Sequence, residues 1–393
     1  MMMSASRVVA VLDGEAVKAV PVVRALGEAG ITVHLFSFER LSPAAASRYC
    51  HRHTRLKRFD ARILCNILTE REISLVMPLE DRTMAALHAD PLMWKDVTLI
   101  QPDAADLERF RDKAATIDLA VSRNVPVPET AIPASLAEAE SLLRQWRYFP
   151  VVIKPRVSSG SRGIRIAPDA ASALTAYRRV HRDYPLPLLQ RFVPPGGRAL
   201  GVEFLFFRGR EVRVFAHERL RQFPVKGGPS TYCRGCTDAR VVAMGRRIMD
   251  GLGYSGFAMV EFREDPETGT LYLMEVNPRP WGSIALPRFA GVDFAVEAVR
   301  VFSGGHVGPD QPEVPKDAAD YHLRWLLPAD LLNLLTDRAV SFRVRMRELC
   351  RRYPRTVYQI LSRKDPNPAW VMLFKMVAGA FNPRFLLRNF LRR

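Results

Sequence analysis

The chain has 393 residues, of which 48% are hydrophobic and 25% charged, a composition typical of a globular protein with room for two or three domains. Its five cysteines are few and odd in number, which excludes a simple disulfide framework and favours a reducing cytoplasm. The N-terminus predicts no secretory signal, and no stretch approaches the roughly 20 apolar residues of a membrane-spanning helix.

The formal net charge of +17 is concentrated at the C-terminus. Residues 338–393 contain 14 lysines and arginines against two acidic residues, Glu348 and Asp365, and therefore hold about +12 of the total. The basic character of the protein is mostly a property of this tail.

The first 105 residues alternate between predicted strands and helices. Short apolar runs predict strands at Arg7–Leu12, Ile31–Phe36, Leu75–Pro78 and Thr98–Gln101, and helical spacing predicts helices at Ala16–Ala29 and Arg82–Ala89. Gly30 is a typical helix-ending glycine. This alternation predicts a parallel sheet covered by helices. Asp13-Gly14 is not a G-x-G-x-x-G fingerprint, so no dinucleotide site is predicted there.

A second pattern begins near residue 106. It predicts helix at Leu107–Asn124, Ala170–Val180 and Val241–Leu252, an extended proline-rich linker at 125–128, and strands at Val151–Lys154, Ile164–Ala167, Leu188–Phe192, Gly201–Phe207 and Val212–His217. The first two strands flank the small-residue loop 158–163, which predicts a flap. Its N–H groups, together with Lys154 before the loop, can cradle phosphates without a Walker motif; the alternative is a surface hairpin with an exposed lysine.

The strongest constellation lies in a predicted hairpin, Gly256–Phe262 paired with Thr270–Val276. Glu261 ends one strand and Glu275 ends the other, so their carboxylates can face one another, and Asn277 shares the face of Glu275. Two carboxylates and an amide oxygen form an all-oxygen site suited to Mg²⁺. Arg279 can place a guanidinium beside it, where a transferring phosphoryl group develops charge. An ordinary polar hairpin is the alternative.

Taken in order, these segments resemble the ATP-grasp superfamily, and within it the carbamoyl-phosphate-synthase-like ATP-binding, or carboxylate–amine ligase, group. The resemblance covers residues 1–305 and rests on Asp112-Lys113, the linker at 125–128, Phe149–Pro155, the small-residue loop, Leu189–Pro194, and Glu261 with Glu275-x-Asn277-Pro278-Arg279. It implies an α/β protein with a Rossmann-like domain at 1–105 and an ATP-grasp domain at 106–307, formed by two α+β subdomains that clasp ATP. The flap subdomain would span 125–189 and the metal-binding subdomain 190–307, with a basic helical extension at 308–393.

The resemblance also implies roles for individual residues. Lys113 and Lys154 would bind ATP phosphates, and Glu261, Glu275 and Asn277 would hold two Mg²⁺ ions, for which Mn²⁺ could substitute. Arg279 and Lys154 would be the catalytic cations. The loop would close over the triphosphate through Ser158, Ser159, Gly160, Ser161 and Gly163, and the hinge strand Gln190, Arg191, Phe192 and Val193 would hold adenine. The hinge lacks the usual glutamate, so Glu203 is the candidate for the ribose.

Substrate residues are predicted on the segment that follows. Arg219 and Arg221, two apart on a strand, would share a face suited to an anionic substrate, with Ser230 nearby; a solvated strand face is the alternative. Cys233 and Cys236 form a lone CxxC, for which a redox pair or coincidence is preferred to a metal site.

The basic tail alternates aromatic residues with cations, among them Trp370, Phe374 and Lys375. This pattern predicts either a peripheral helix on an anionic membrane or a helix packed on the ATP-grasp body with a solvated basic face. No nucleic-acid partner is expected, because no recognised module accompanies the charge.

Together these features predict an ADP-forming ligase that joins a small-molecule carboxylate to an amine through an acyl-phosphate. The expected location is the cytoplasm, with peripheral contact at the inner membrane surface as an extension, and a homodimer is a further expectation. The alternatives are a carboxylase or carbamoyl-phosphate-type enzyme and a non-catalytic, membrane-associated ATP-binding protein. Sequence does not identify the carboxylate or the amine, because fold does not fix substrate.

Overall fold

A computed structural model describes residues 8–158, 160, 162–223, 228–308, 312–336, 340–351 and 353–380. Within these ranges no helix combines the length and the apolar character needed to cross a bilayer. The predicted loop residues Ser159 and Ser161 lie outside the described residues, as do the last 13 residues of the basic tail.

The N-terminal part is a parallel sheet. Its five strands lie in the order β3-β2-β1-β4-β5, and three helices alternate with them along the chain. Apolar residues on both faces of β1 are buried, which fits a strand covered on two sides. The bounds are β1 Val8–Val11, α1 Ala19–Glu28, β2 Thr32–Ser37, β3 Arg52–Arg55, α2 Ala61–Glu70, β4 Leu75–Met77, α3 Asp81–His88 and β5 Thr98–Leu99.

Two helices follow, α4 (Ala104–Arg111) and α5 (Lys113–Ser122), where the sequence predicts one. Asp112 separates them, since its backbone is extended and its carboxylate accepts a hydrogen bond from the N–H of Ala114 at 2.9 Å. Lys113 is therefore the first residue of a helix, where its side chain can leave the helix towards neighbouring elements.

The flap is a separate antiparallel sheet of order β6-β9-β7-β8, termed the flap sheet, with its own apolar core beneath two helices. Its elements are β6 Thr130–Ala131, α6 Leu136–Gln145, β7 Val151–Lys154, β8 Arg165–Ala167, α7 Ala170–Asp183 and β9 Leu188–Arg191. Strand β9 runs to Arg191 and pairs with both β6 and β7, so the flap sheet ends two residues beyond the boundary predicted at about residue 189.

The largest sheet has seven strands in the order β14-β13-β10-β11-β12-β15-β16. Its first five strands and their helices are β10 Ala199–Phe207, β11 Arg210–Gln222, β12 Ser230–Gly235, α8 Ala239–Met249, β13 Gly256–Glu264, β14 Leu271–Asn277, α9 Ala285–Phe289 and α10 Phe294–Phe302. Strands β13 and β14 form the predicted hairpin, here called the site hairpin.

The C-terminal extension is not purely helical, in contrast to the prediction. It contains β15 His322–Arg324, α11 Leu331–Thr336, α12 Phe342–Cys350, β16 Thr356–Tyr358 and α13 Asn367–Ala380. Strand β15 pairs with β12, and β16 extends the sheet by a parallel pairing with β15. The domain boundary predicted at residue 308 therefore falls between strands of one sheet. Strands β15 and β16 could not be predicted, because three-residue strands within a basic sequence carry too little apolar periodicity.

Candidate functional site

The site hairpin brings three oxygen-bearing side chains together. Glu261 and Glu275 are directly opposed across β13 and β14, and a bulge follows Glu261. Nδ2 of Asn277 donates to Oε1 of Glu261 at 3.1 Å and to Oε1 of Glu275 at 3.2 Å. Opposed carboxylates within reach of one amide form a hard donor set that fits a divalent cation such as Mg²⁺.

Two buried lysines reach this hairpin from other elements. Nζ of Lys154, at the end of β7, donates to the carbonyl of Met274 at 2.8 Å. Nζ of Lys113 lies 3.9 Å from Oε2 of Glu275 and donates to the carbonyl of Ser158 at 2.7 Å. The flap sheet, helix α5 and the site hairpin thus meet at a single cluster of charges.

The titration of these groups reflects that arrangement. Burial lowers the pKa of Lys154 to about 8, although the Glu275 carboxylate acts in the opposite direction. Burial also raises the pKa of Glu275, but the positive charges of Lys113 and Lys154 offset this and hold it below its usual value. Glu275 is therefore ionised at neutral pH, as a metal ligand must be.

Arg279 links the site hairpin to the N-terminal sheet. Its Nη2 donates to Oδ1 of Asn277 at 3.3 Å, and its Nε lies 3.9 Å from Glu80 and 3.8 Å from Asp81. Glu80 and Asp81 follow β4, the neighbour of β1 at the point where the strand order reverses. Such a switch point opens a crevice at the carboxyl ends of the strands. The acidic pair directly after an apolar strand is a signal that the sequence analysis missed.

Two further buried charges position this edge. The carboxylate of Asp13, after β1, accepts hydrogen bonds from the N–H groups of Leu79 and Glu80 at 3.0 and 2.9 Å. Burial raises the pKa of Asp13 to about 6. Nζ of Lys18 lies 3.0 Å from Glu80 and donates to the carbonyl of Pro280 at 2.9 Å. The loop that bears Glu80 is therefore fixed against the loop that bears Arg279.

These elements enclose a cavity of about 500 Å³. The N-terminal part contributes Glu15, Glu80 and Asp81, termed the acidic wall, and also Arg82. Arg111, Lys113 and Arg162 line the cavity as well, together with Ser158 of the flap and the hairpin residues Glu275 and Asn277. A space of this size and mixed charge suits polar ligands that carry both phosphate and substrate groups.

Comparison with known proteins agrees with this geometry. Residues 203–327 match a family described as "ATP-grasp in the biosynthetic pathway with Ter operon". A carbamoyl phosphate synthase large chain, C-terminal section, of Methanopyrus kandleri is 23% identical over 62% of this chain and 46% of that protein. A probable alpha-L-glutamate ligase of Syntrophotalea carbinolica is 25% identical over 53% of this chain and 67% of that protein.

Solved structures share the fold. A biotin carboxylase from Campylobacter jejuni superposes with a TM-score of 0.65 at 15% identity, covering 80% of this chain and 74% of that chain. The chain is thus similar to ATP-grasp proteins in sequence and in fold. The predicted recognition is confirmed. The chain spans less than half the length of several curated relatives that it matches.

The two predicted substrate arginines, Arg219 and Arg221, do not share a face of β11. Arg219 pairs with Cys233 of β12, whereas Arg221 pairs with the adjacent Tyr232, because a bulge lies between the two arginines. Neighbouring residues of β12 point to opposite faces, and so do their partners. Nη2 of Arg219 therefore reaches Oε2 of Glu261 at 3.0 Å, while Nε of Arg221 binds Oδ1 of buried Asp330 at 2.7 Å.

Two other predicted site residues, Ser230 and Glu203, form hydrogen bonds to neighbouring protein groups. The hydroxyl of Ser230 donates to the carbonyls of Arg221 and Tyr232 at 3.5 and 3.3 Å, within the strand pair. Glu203 is 1% exposed and hydrogen-bonds to Nδ1 of His217 beneath the site. Its carboxylate is enclosed by protein, and the ribose contact stays a prediction. The sequence could not separate this buried pair from a surface carboxylate.

The hinge residues of the ATP-grasp fold lie in the flap sheet. Gln190 is buried and donates to Thr130 at 3.0 Å, and the N–H of Arg191 donates to the carbonyl of Glu129 at 2.7 Å. The N–H of Phe192 donates to the carbonyl of Pro150 at 3.3 Å, and Val193 is buried. These donors are engaged within the flap sheet. Adenine binding by the strand stays a prediction.

The described part of the flap loop contacts the site through its backbone. The carbonyl of Ser158 accepts from Lys113, and Gly160 and Gly163 both have positive φ. At Gly163 a Cβ would lie 2.7 Å from Pro155 and Tyr184, so only glycine fits there. Cys233 and Cys236 are buried thiols, and burial raises the pKa of both.

Proposed function

We propose that this ATP-grasp protein is an ADP-forming ligase that joins a carboxylate to an amine through an acyl-phosphate. The observation that carries the proposal is the convergence of Lys113, Lys154 and Arg279 on the site hairpin that bears Glu261, Glu275 and Asn277, at the edge of a cavity lined by Lys113, Glu275 and Asn277. Phosphoryl transfer asks for charge neutralisation and positioning rather than covalent chemistry from the protein, and these side chains offer both.

The donor set fits Mg²⁺, and Glu261, Glu275 and Asn277 would hold it. Bound Mg–ATP supplies the transferable γ-phosphoryl group together with the positive charge that stabilises it. Arg219 lies 3.0 Å from the carboxylate of Glu261 and Lys113 lies 3.9 Å from that of Glu275, so each carboxylate has a cation beside it. Lys113 and Lys154 would neutralise phosphate oxygens, and Arg279 would hold the carboxylate that accepts the phosphoryl group.

The charge distribution of the cavity supports two substrates of different character. Carboxylate and phosphate groups suit Lys113 and Arg111, which line the cavity. The acidic wall of Glu15, Glu80 and Asp81 suits an amine. The attacking amine would thus approach from the N-terminal sheet towards an acyl-phosphate formed beside the site hairpin.

The test is ADP release by the purified chain with ATP, Mg²⁺ and a panel of amino acids and small carboxylates, with and without an amine acceptor. We expect acceptor-dependent ADP, and loss of at least about a hundredfold in rate with Glu275→Ala, because a metal-held charge is worth several kcal/mol in the transition state. Glu267→Ala, in the exposed turn of the same hairpin, is the matched control and should keep full activity.

Other outcomes discriminate the alternatives. ADP formed with bicarbonate alone would assign a carboxylase or carbamoyl-phosphate-type reaction, and AMP as product would overturn the acyl-phosphate mechanism. Mg-dependent ATP binding without turnover by any acceptor would favour the non-catalytic reading. The homodimer stays a prediction, which light scattering of the purified protein can check.

A further inference from the structure

The last described helix, α13, exposes an apolar stripe. Trp370, Leu373, Phe374 and Val377 follow an i, i+3, i+4, i+7 spacing and are 63%, 37%, 60% and 51% exposed. This spacing places all four on one face of the helix. A 14-residue helix with four large apolar side chains in water has an unburied face that needs an explanation.

The same helix is held firmly on its other side. Nζ of Lys375 lies 2.6 Å from Glu39 and donates to the carbonyl of Leu41 at 3.1 Å. Immediately before the helix, the carboxylate of buried Asp365 accepts from Nε of Arg24 at 2.8 Å and from the hydroxyl of Ser47 at 2.7 Å. The apolar stripe is therefore presented outward by anchored contacts and is not a loose end of the chain.

The charges around α13 have one sign. Arg363, Lys364, Arg48 and Arg40 are exposed close to the anchors, and the Glu39 carboxylate is paired with Lys375. From residue 366 to 393 the sequence contains five lysines and arginines and no acidic residue. The surface thus combines aromatic and aliphatic side chains with uncompensated positive charge.

We propose that this face of α13 docks on the surface of an anionic lipid bilayer. Aromatic side chains at the headgroup level and cations beside them are the two elements of interfacial binding to acidic lipids. A second copy of this chain is a poorer occupant, because two such faces would oppose like charges. As far as the structure describes it, α13 has 14 residues, fewer than the roughly 20 that span a bilayer, and the proposed contact is peripheral. Docking is independent of the ligase reaction, since it uses no residue of the cavity.

The test is co-sedimentation of the full chain with vesicles of phosphatidylcholine, with and without phosphatidylglycerol. We expect binding only with the anionic lipid, weakening at high salt as the Debye length shortens. The double variant Trp370→Ser, Phe374→Ser should bind roughly tenfold or more weakly, given the apolar area removed. Leu92→Ser with Val121→Ser, which removes two exposed apolar side chains elsewhere, is the matched control and should bind normally.

A charge variant separates the two contributions. Arg363→Ser with Lys364→Ser should reduce binding to anionic vesicles and make the remaining binding less sensitive to salt. Equal sedimentation of the wild type and the Trp370/Phe374 variant would overturn the proposal, as would equal binding to neutral and anionic vesicles. Self-association that is lost in that variant, in the absence of vesicle binding, would instead assign the face to a second copy.

Discussion

Lys154 is a buried ammonium that lies beside the carboxylate of Glu275. Its Nζ donates to the backbone carbonyl of Met274, and burial of the ammonium lowers the pKa of Lys154 to about 8. Glu275, beside it, is held ionised by Lys113 and Lys154. A buried lysine whose pKa lies close to the working pH can bind phosphate strongly in its protonated form. The desolvation cost of that binding is small, because burial has already removed the water around the ammonium.

This gives a pH prediction for nucleotide binding. The protonated form of Lys154 binds phosphate, and its fraction in the free protein falls about tenfold per pH unit above a pKa of about 8. The affinity for Mg–ATP should therefore decrease as pH rises from about 8 to about 9.5, and calorimetric titration across this range measures it. Lys154→Met should bind ATP weakly at neutral pH and lack the decline. A decline of equal slope in the variant would assign it to another group.

Among the secondary-structure elements, β11 contains a bulge that determines which of its arginines reaches the site hairpin. Without it, the period of two along a strand would place Arg219 and Arg221 on one face. With it, Arg219 lies 3.0 Å from Glu261, and Arg221 stacks over Tyr232 at 4.3 Å and binds Asp330. Arg324 also binds Asp330, with Nη2 2.7 Å from Oδ2. One extra residue in β11 thus places Arg219 beside Glu261 of the site hairpin and Arg221 beside the buried Asp330.

The two arginines should therefore behave differently on mutation. Arg219→Met should lower the rate of ADP formation by about ten- to a hundredfold with little change in stability, because it flanks the metal carboxylate. Arg221→Met should cost about 1.5–3 kcal/mol of unfolding free energy, since it leaves the buried Asp330 with fewer charged partners, and should keep the rate. Urea denaturation and steady-state kinetics on both variants test this; a reversed pattern would contradict the bulge argument.

Elements with strong local signals were predictable, and those set by distant partners were not. The site hairpin followed from two apolar strands ending in glutamates, and the structure places Glu261 opposite Glu275. The sequence has no local mark for the bulge at Arg219–Arg221, which depends on pairing with β12. Likewise, the burial of Glu203 against His217 depends on a neighbouring strand. The acidic wall that contains Glu80 could not be predicted, because its position depends on the pairing of β4 with β1.

At the scale of the whole molecule, the N-terminal sheet and the largest sheet share one core. Val9 and Val11 of β1 belong to the same apolar cluster as Phe257 of β13 and Trp281, whereas the flap sheet has a core of its own. The C-terminal segment reinforces this union, because its strands extend the largest sheet and its Asp365 binds Arg24 of α1. The acidic wall of the cavity is thus held in fixed relation to the site hairpin.

Removal of this anchor should weaken the union of the two sheets. Asp365→Ala leaves the Arg24 guanidinium buried, with hydrogen bonds to the carbonyls of Ile360 and residue 365 but no counter-charge. We expect a loss of about 3–5 kcal/mol in unfolding free energy, the usual effect of breaking a buried ion pair. Asp317→Ala, which breaks the exposed pair with Arg355, is the control and should change stability little. Denaturant unfolding monitored by tryptophan fluorescence measures both variants. If the two lose equal stability, the Arg24–Asp365 contact does not join the C-terminal segment to the N-terminal sheet, and the shared apolar core alone must account for the fixed position of the acidic wall.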